Sequence, residues 1–162
     1  MNKVIDVSYH NGTIDWEKVK AAGYHAILRA GYGMDEPGQD DTQFARNVSE
    51  CERLGIPWGA YLYSYADNAN RVMSEARHMV RLMEPWKDAP NRLYPVCFDS
   101  EESGTEQFAS QGAVLWCSQL EKEGYRTGVY ASESWWDSNL RHFSGNRCRW
   151  VARWGSRAPS VA

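Results

Sequence analysis

The chain predicts an α/β fold, and among α/β folds a β/α barrel, on three observations. Apolar runs of strand length alternate with segments whose apolar residues recur at helical spacing. The motifs AAGY, RLGI and KEGY each set a glycine (Gly23, Gly55, Gly124) between a helix and the strand behind it, where a left-handed cap turns the chain back. No GxGxxG or GxxxxGK[ST] opens a helix, which weighs against an open nucleotide-binding sheet. The 162 residues form one domain, 1–162.

Residues 4–7 read as a first strand that runs past Asp6 into the Asn11-Gly12 turn. Asp15 can cap a helix carrying Trp16, Val19 and Ala22 on one face, and residues 24–30 return as a second strand. A loop over 31–41 with three glycines leads to a helix with Phe44, Val48, Cys51 and Leu54 in phase. Residues 57–65 make the third strand, whose alternation puts Tyr61, Tyr63 and Tyr65 on one face. A helix striped by Val72, Ala76, Met79, Val80 and Met83 ends before Pro85, and its methionines are core packing. The fourth strand lies in 94–102, and a helix through Ala113, Trp116, Cys117 and Leu120 follows. Residues 126–131 are a fifth strand, 132–140 a short helix and 149–154 a sixth strand.

A formal net charge of −3 supplies no basic patch, so neither nucleic acid nor an anionic membrane surface is implied as a partner. The 8 Trp and 9 Tyr suit a ligand with apolar faces and hydroxyls, such as a sugar polymer, although such rings also fill cores. Cys51, Cys97, Cys117 and Cys148 are scattered and read as buried free thiols, with no metal or redox spacing. No run approaches the ~20 apolar residues of a membrane span, and the start MNKVIDVSYHN does not read as a signal peptide. Synthesis in the cytoplasm is the expectation, with release by a holin-type route if the chain is phage-encoded and extracellular action otherwise.

The stretch YPVCFDSEE is an apolar run that breaks into acids at its far end. Strand alternation puts Asp99 and Glu101 on one face, with α carbons about 6.5 to 7 Å apart at roughly 3.3 Å of rise per residue. Glu102 should face the other way and be structural. Barrel chemistry is built at the carboxyl ends of the strands, and Asp6, Tyr63, Tyr65, Asp99, Glu101, Ser132 and Trp154 fall there. Three carboxylates among rings, without a histidine cluster, suggest acid and base work on a carbohydrate. A solvated acidic turn is the plainer reading of the stretch alone, and a metal-dependent hydrolase with Asp6, Asp99 and Glu101 as oxygen ligands a weaker one. Of the four histidines only His10 lies near a strand end, where it can face substrate.

The segments DVSYHNGTIDW, RAGYG, GAYLYSYA, PVCFDSEE, GVYASESWW and WVARWG fall in the order seen in glycoside hydrolase family 25, the Chalaropsis-type lysozymes that include phage endolysins and secreted muramidases. The chain resembles that family over essentially its whole length. The resemblance implies an irregular, TIM-like β/α barrel that cleaves the β-1,4 bond between N-acetylmuramic acid and N-acetylglucosamine in peptidoglycan, with no cofactor and no metal. It places Glu101 as general acid, Asp99 as the charged partner that assists the substrate N-acetyl group or steadies positive charge, and Asp6 as a member of the same network. Tyr63, Tyr65, Trp135, Trp154 and Arg29 become candidate sugar contacts. Family members continue beyond the WVARWG position with another site aspartate. The resemblance therefore implies a barrel lacking its last one or two strands, completed by a second copy or another chain, or one that binds wall glycan without cutting it.

Overall fold

The computed structural model describes residues 2–153. Six strands, β1 (Lys3–Val7), β2 (Tyr24–Tyr32), β3 (Trp58–Tyr63), β4 (Val96–Asp99), β5 (Thr127–Ser132) and β6 (Cys148–Ala152), form one sheet in sequential order, every pair parallel. Helices α1 (Trp16–Ala21), α2 (Phe44–Leu54), α3 (Ala69–Met83), α4 (Ala109–Lys122) and α5 (Glu133–Asn139) fill the connections after β1, β2, β3, β4 and β5. A doubly wound sheet reverses its strand order, whereas strict succession with right-handed crossovers keeps every helix on one face. The described strands make a curled half-barrel.

Short-range chemistry sets the helix boundaries where the sequence suggested. The Asp15 carboxylate accepts from Lys18 N–H at 3.2 Å to start α1, and Asn68 and Ser132 cap α3 and α5 in the same way. After α2 the left-handed Gly55 (φ 62°) turns the chain so that Ile56 N–H reaches Cys51 O at 2.8 Å.

Alternation along the strands divides the buried residues into two sets. Ala26, Leu28, Trp58, Ala60, Leu62, Val96, Phe98 and Val129 pack outward onto the helices with Trp16, Val48, Met79 and Trp116. Ile27, Tyr61 and Cys97 face inward with Tyr94 and Trp150. The inner set is small because a half-barrel has no opposite wall. An apolar hollow of about 290 Å³ remains inside it, between Val4 and Ile5 of β1 and Cys148 and Trp150 of β6. At Gly128 a Cβ would lie 2.9 Å from both the Cβ and the carbonyl oxygen of Cys148, so glycine lets β5 and β6 approach closely enough to curl.

Three expectations need correction. The tyrosines of β3 do not all share the strand face, because β3 ends at Tyr63 and Tyr65 lies in the turn beyond. β4 likewise stops at Asp99, so Glu101 stands past the strand. Cys51, Cys97 and Cys117 are buried, but Cys148 is exposed, because it sits on an edge strand. Four of the eight tryptophans, Trp16, Trp58, Trp116 and Trp136, are structural, buried in the outer core.

Candidate active site

Register fixes what meets at the carboxyl end of the sheet. Tyr32, Tyr63, Asp99, Tyr130 and Trp150 are successive partners across β2 to β6, one level row. Arg29 and Tyr32, three residues apart, would fall on opposite faces of a regular strand. A register shift between Arg29 and Gly31 absorbs one residue, and both side chains line the same cleft.

Asp99 is the centre of the row and only 3% exposed. Its carbonyl accepts from Ser64 N–H at 3.0 Å, and Ser100 N–H bonds Tyr130 O at 2.9 Å, so backbone on both sides holds it in place. Its Oδ1 is buried with no hydrogen-bond partner. Burial raises the Asp99 pKa well above the usual carboxylate range, the charges of Glu101 and Asp6 push the same way, and Arg29 opposes them. Half-buried Glu101 is raised as well, by burial first and then by Asp6 and Glu102. Asp6 keeps much of its surface open on the edge strand, yet the protein packed around its carboxyl raises its pKa, against the Tyr61 hydroxyl that donates to it and the Arg29 charge.

The three acids therefore form one electrostatic unit, as the sequence suggested, but the order of perturbation is reversed. Asp99 was expected to stay charged while Glu101 held the proton. Asp99 is instead the more strongly raised of the two, because it is the more deeply buried and lacks a donor on Oδ1.

Beside the acids lies a cleft of about 330 Å³ lined by Tyr9, His10, Arg29, Tyr32, Tyr63 and Tyr65. Arg29 is clamped by Asp41, with Nε to Oδ2 at 3.0 Å, and its guanidinium lies 4.8 Å from the Tyr9 ring and 5.9 Å from that of Tyr32. Its Nη2 is buried without a partner. Tyr63 donates its hydroxyl to Glu102 at 2.8 Å, and its ring meets that of Tyr65 at 5.2 Å. Glu102, expected to face away, is thus drawn to the edge of the site, because the chain has left the strand and alternation no longer governs it.

Of the proposed sugar contacts, Arg29, Tyr63 and Tyr65 come together in the cleft, and His10 joins them stacked on Tyr9. Trp135 does not, because α5 packs its ring against the outer core. Trp154 lies outside the described residues. Sequence reading passed over Tyr130, Trp150 and Asp41, and named Tyr61 only as one of three phenols on a strand face. Counting back from the strand ends would have found Tyr130 and Trp150, which are level with Asp99. Nothing local marks Asp41, whose carboxylate gathers Tyr9 N–H, Gln43 N–H and Arg29 from three places in the chain. Among the described residues no group of three or more His, Cys, Asp or Glu is set to hold a metal ion.

A parallel half-barrel with acids at the carboxyl ends of its strands fits what known proteins show. The family model described as "Glycosyl hydrolases family 25" matches residues 5–162. The chain belongs to glycosyl hydrolase family 25. Lysozyme M1 of Streptomyces globisporus is 29% identical over 97% of this chain and 56% of its own length, so the chain spans little more than half of that curated relative. The modular autolysin LytC of Streptococcus pneumoniae is 30% identical, with a TM-score of 0.74 over 87% of this chain and 35% of that one. The catalytic domain of endolysin ply40, from bacteriophage P40 of Listeria monocytogenes, superposes with a TM-score of 0.87 at 20% identity, covering 100% of this chain and 81% of its own. That last likeness bears on the fold.

Proposed function

We propose that this family 25 domain is a muramidase, hydrolysing the β-1,4 bond between N-acetylmuramic acid and N-acetylglucosamine of peptidoglycan. The observation that carries the reading is the buried Asp99 carboxylate, with an unpartnered Oδ1, beside a Glu101 carboxyl raised toward protonation. A protonated Glu101 gives its proton to the glycosidic oxygen as the bond to the sugar breaks. Asp99 Oδ1 lacks the donor that the N–H of a substrate N-acetyl group would supply. Accepting that bond lowers the Asp99 pKa and returns the group to the charged form that favours an oxocarbenium-like sugar. Asp6 and Tyr61 hold the far side of the acid cluster. The tyrosine cleft and Arg29 Nη2 offer stacking faces and a donor to neighbouring sugars. A water then adds its hydroxyl to the anomeric carbon and gives its proton to the Glu101 carboxylate, which restores the acid.

Release of reducing ends from purified cell walls tests this. Wild type should release them, and Glu101→Gln should lower the rate by roughly 10²–10⁴-fold, the usual range for a lost acid. Equal rates would overturn the assignment. Cosedimentation with walls and no soluble product would favour the glycan-binding alternative.

Two further readings belong to the same proposal. The chain's action is placed at the bacterial wall, where its substrate lies. The barrel is completed by a second copy or another chain along β1 and β6, the strands at the two margins of the described sheet, with the apolar hollow between them as support. A monomeric, fully active native mass would refute that completion.

A further inference from the structure

Helix α3 presents a core stripe of Val72, Ala76, Met79 and Met83, and in its midst stands Glu75, 0% exposed. A carboxyl group in such a stripe is costly to bury unless hydrogen bonds satisfy it. Both oxygens are engaged. Oε2 accepts from the Ser64 hydroxyl at 2.6 Å and Oε1 from Tyr65 N–H at 2.9 Å. Arg71 on the same helix acts on Glu75 through its charge but makes its ion pair with Asp67, at 3.4 Å. Glu75 therefore grips two consecutive residues of the turn that leaves β3.

Every group in that turn has business in the site. Ser64 N–H holds the Asp99 carbonyl at 3.0 Å, and Ser64 Oγ accepts from Ala66 N–H at 3.1 Å. Tyr63, one residue earlier, bonds Glu102 through its hydroxyl and receives Gly33 N–H on its carbonyl at 2.9 Å. Tyr65 is 45% exposed, yet its ring meets those of Tyr63 and Tyr32 at 5.2 and 6.2 Å and forms part of the cleft wall. A ring that exposed is held less by burial than by where its backbone is fixed, and Glu75 fixes it.

We propose that Glu75 is a positioning residue for glycan binding, holding the Ser64–Tyr65 turn so that Tyr65 completes the aromatic wall of the cleft. The inference rests on the muramidase reading for its substrate. Its effect falls on substrate affinity, because Glu75 bonds Tyr65 N–H directly but touches Asp99, Glu101 and Asp6 through no described hydrogen bond, and the Ser64 group it holds is the hydroxyl rather than the N–H that meets the Asp99 carbonyl. Glutamine is the conservative replacement: its Oε1 accepts from Tyr65 N–H and its Nε2 donates to Ser64 Oγ.

The test is steady-state hydrolysis of soluble peptidoglycan glycan strands, with cosedimentation on whole walls as a second measure of affinity. Glu75→Ala should raise KM about tenfold, equivalent to about 1.4 kcal/mol, with kcat within about twofold. Glu75→Gln should restore KM to within about threefold of wild type. On a Tyr65→Ala background, Glu75→Ala should shift KM no further, since the ring it places is gone. An unmoved KM, a lowered kcat at constant KM (fewer correctly folded molecules) or additive effects in the double variant would each overturn the proposal. Should Glu75→Ala fail to fold, Ser64→Ala carries the test: it removes the hydroxyl that Glu75 holds and should raise KM with kcat within about twofold, and a wild-type KM in Ser64→Ala refutes the proposal. A wild type that binds walls but releases no reducing ends sinks the muramidase reading alone, and the binding isotherms then decide the role of Glu75.

Discussion

Replacing Arg29 with methionine separates its two duties. Arg29 and Asp41 form a buried ion pair, with side chains 12% and 0% exposed. Methionine keeps much of the apolar length but leaves the Asp41 carboxylate with only Tyr9 N–H and Gln43 N–H as neutral donors. Breaking one side of a buried pair costs about 3–5 kcal/mol. The two remaining donors favour the lower figure, and about 3 kcal/mol lowers Tm by roughly 6–12 °C for a chain of this size. The second duty is electrostatic, because the Arg29 charge pulls down the pKa of both Asp99 and Asp6 against burial. Without it both rise further, and the acid limb of the pH profile of kcat/KM should move to higher pH. Arg29→Lys keeps the charge without the same clamp, so it should lose stability while leaving the limb near its wild-type place. Thermal unfolding by circular dichroism and reducing-end release between pH 4 and 8 measure the two effects. A folded Arg29→Met enzyme whose acid limb stays put, or an Arg29→Lys enzyme whose limb moves as far, would refute the electrostatic half.

Two further outcomes follow from the same structure. Burial lifts the Glu75 pKa from 4.5 to about 7, so the folded state binds a proton more tightly than the unfolded one. The stability this contributes is fully present below pH 4.5 and lost as pH rises through about 7, an amount on the order of 3 kcal/mol at about 1.36 kcal/mol per pH unit. Urea unfolding of wild type and Glu75→Gln at pH 4.5 and 8 should show the wild type losing more stability across that interval, and parallel losses would contradict the burial argument. Gly128→Ala would drive a Cβ to within 2.9 Å of Cys148 backbone, costing about 1–3 kcal/mol and loosening β6 first. Hydrogen exchange should then quicken in β6 before β3, and uniform exchange would count against it.

How much of this was legible beforehand depended on the range of the forces involved. The helix cap at Asp15, the left-handed Gly55 and the apolar stripes of α2 and α3 are contacts within a few residues, so the order of letters contains them. The strand that delivers Asp99 could be read for the same reason, as could the alternation that sends Phe98 outward and Cys97 inward. Strict succession of strand and helix was also enough to favour a barrel-type sheet over a doubly wound one.

Long-range register decided the rest. Whether Arg29 and Tyr32 could serve one cleft hung on a single residue absorbed between β2 and β3. That Tyr130 and Trp150 stand level with Asp99, while Trp135 turns into the outer core, follows from how β4, β5 and β6 slide against one another. Alternation failed at Glu102 because β4 ends at Asp99, and past a strand end side-chain direction is set by partners such as Tyr63. Burial in the folded state, which has no trace in local spacing, made Asp99 the more strongly perturbed acid. The sequence by itself determined which carboxylates arrive at the end of the sheet, since strand order and alternation are local properties. Only the tertiary structure decided which of them is buried without a donor, because solvent exclusion and hydrogen-bond partnership depend on chain segments far apart in sequence.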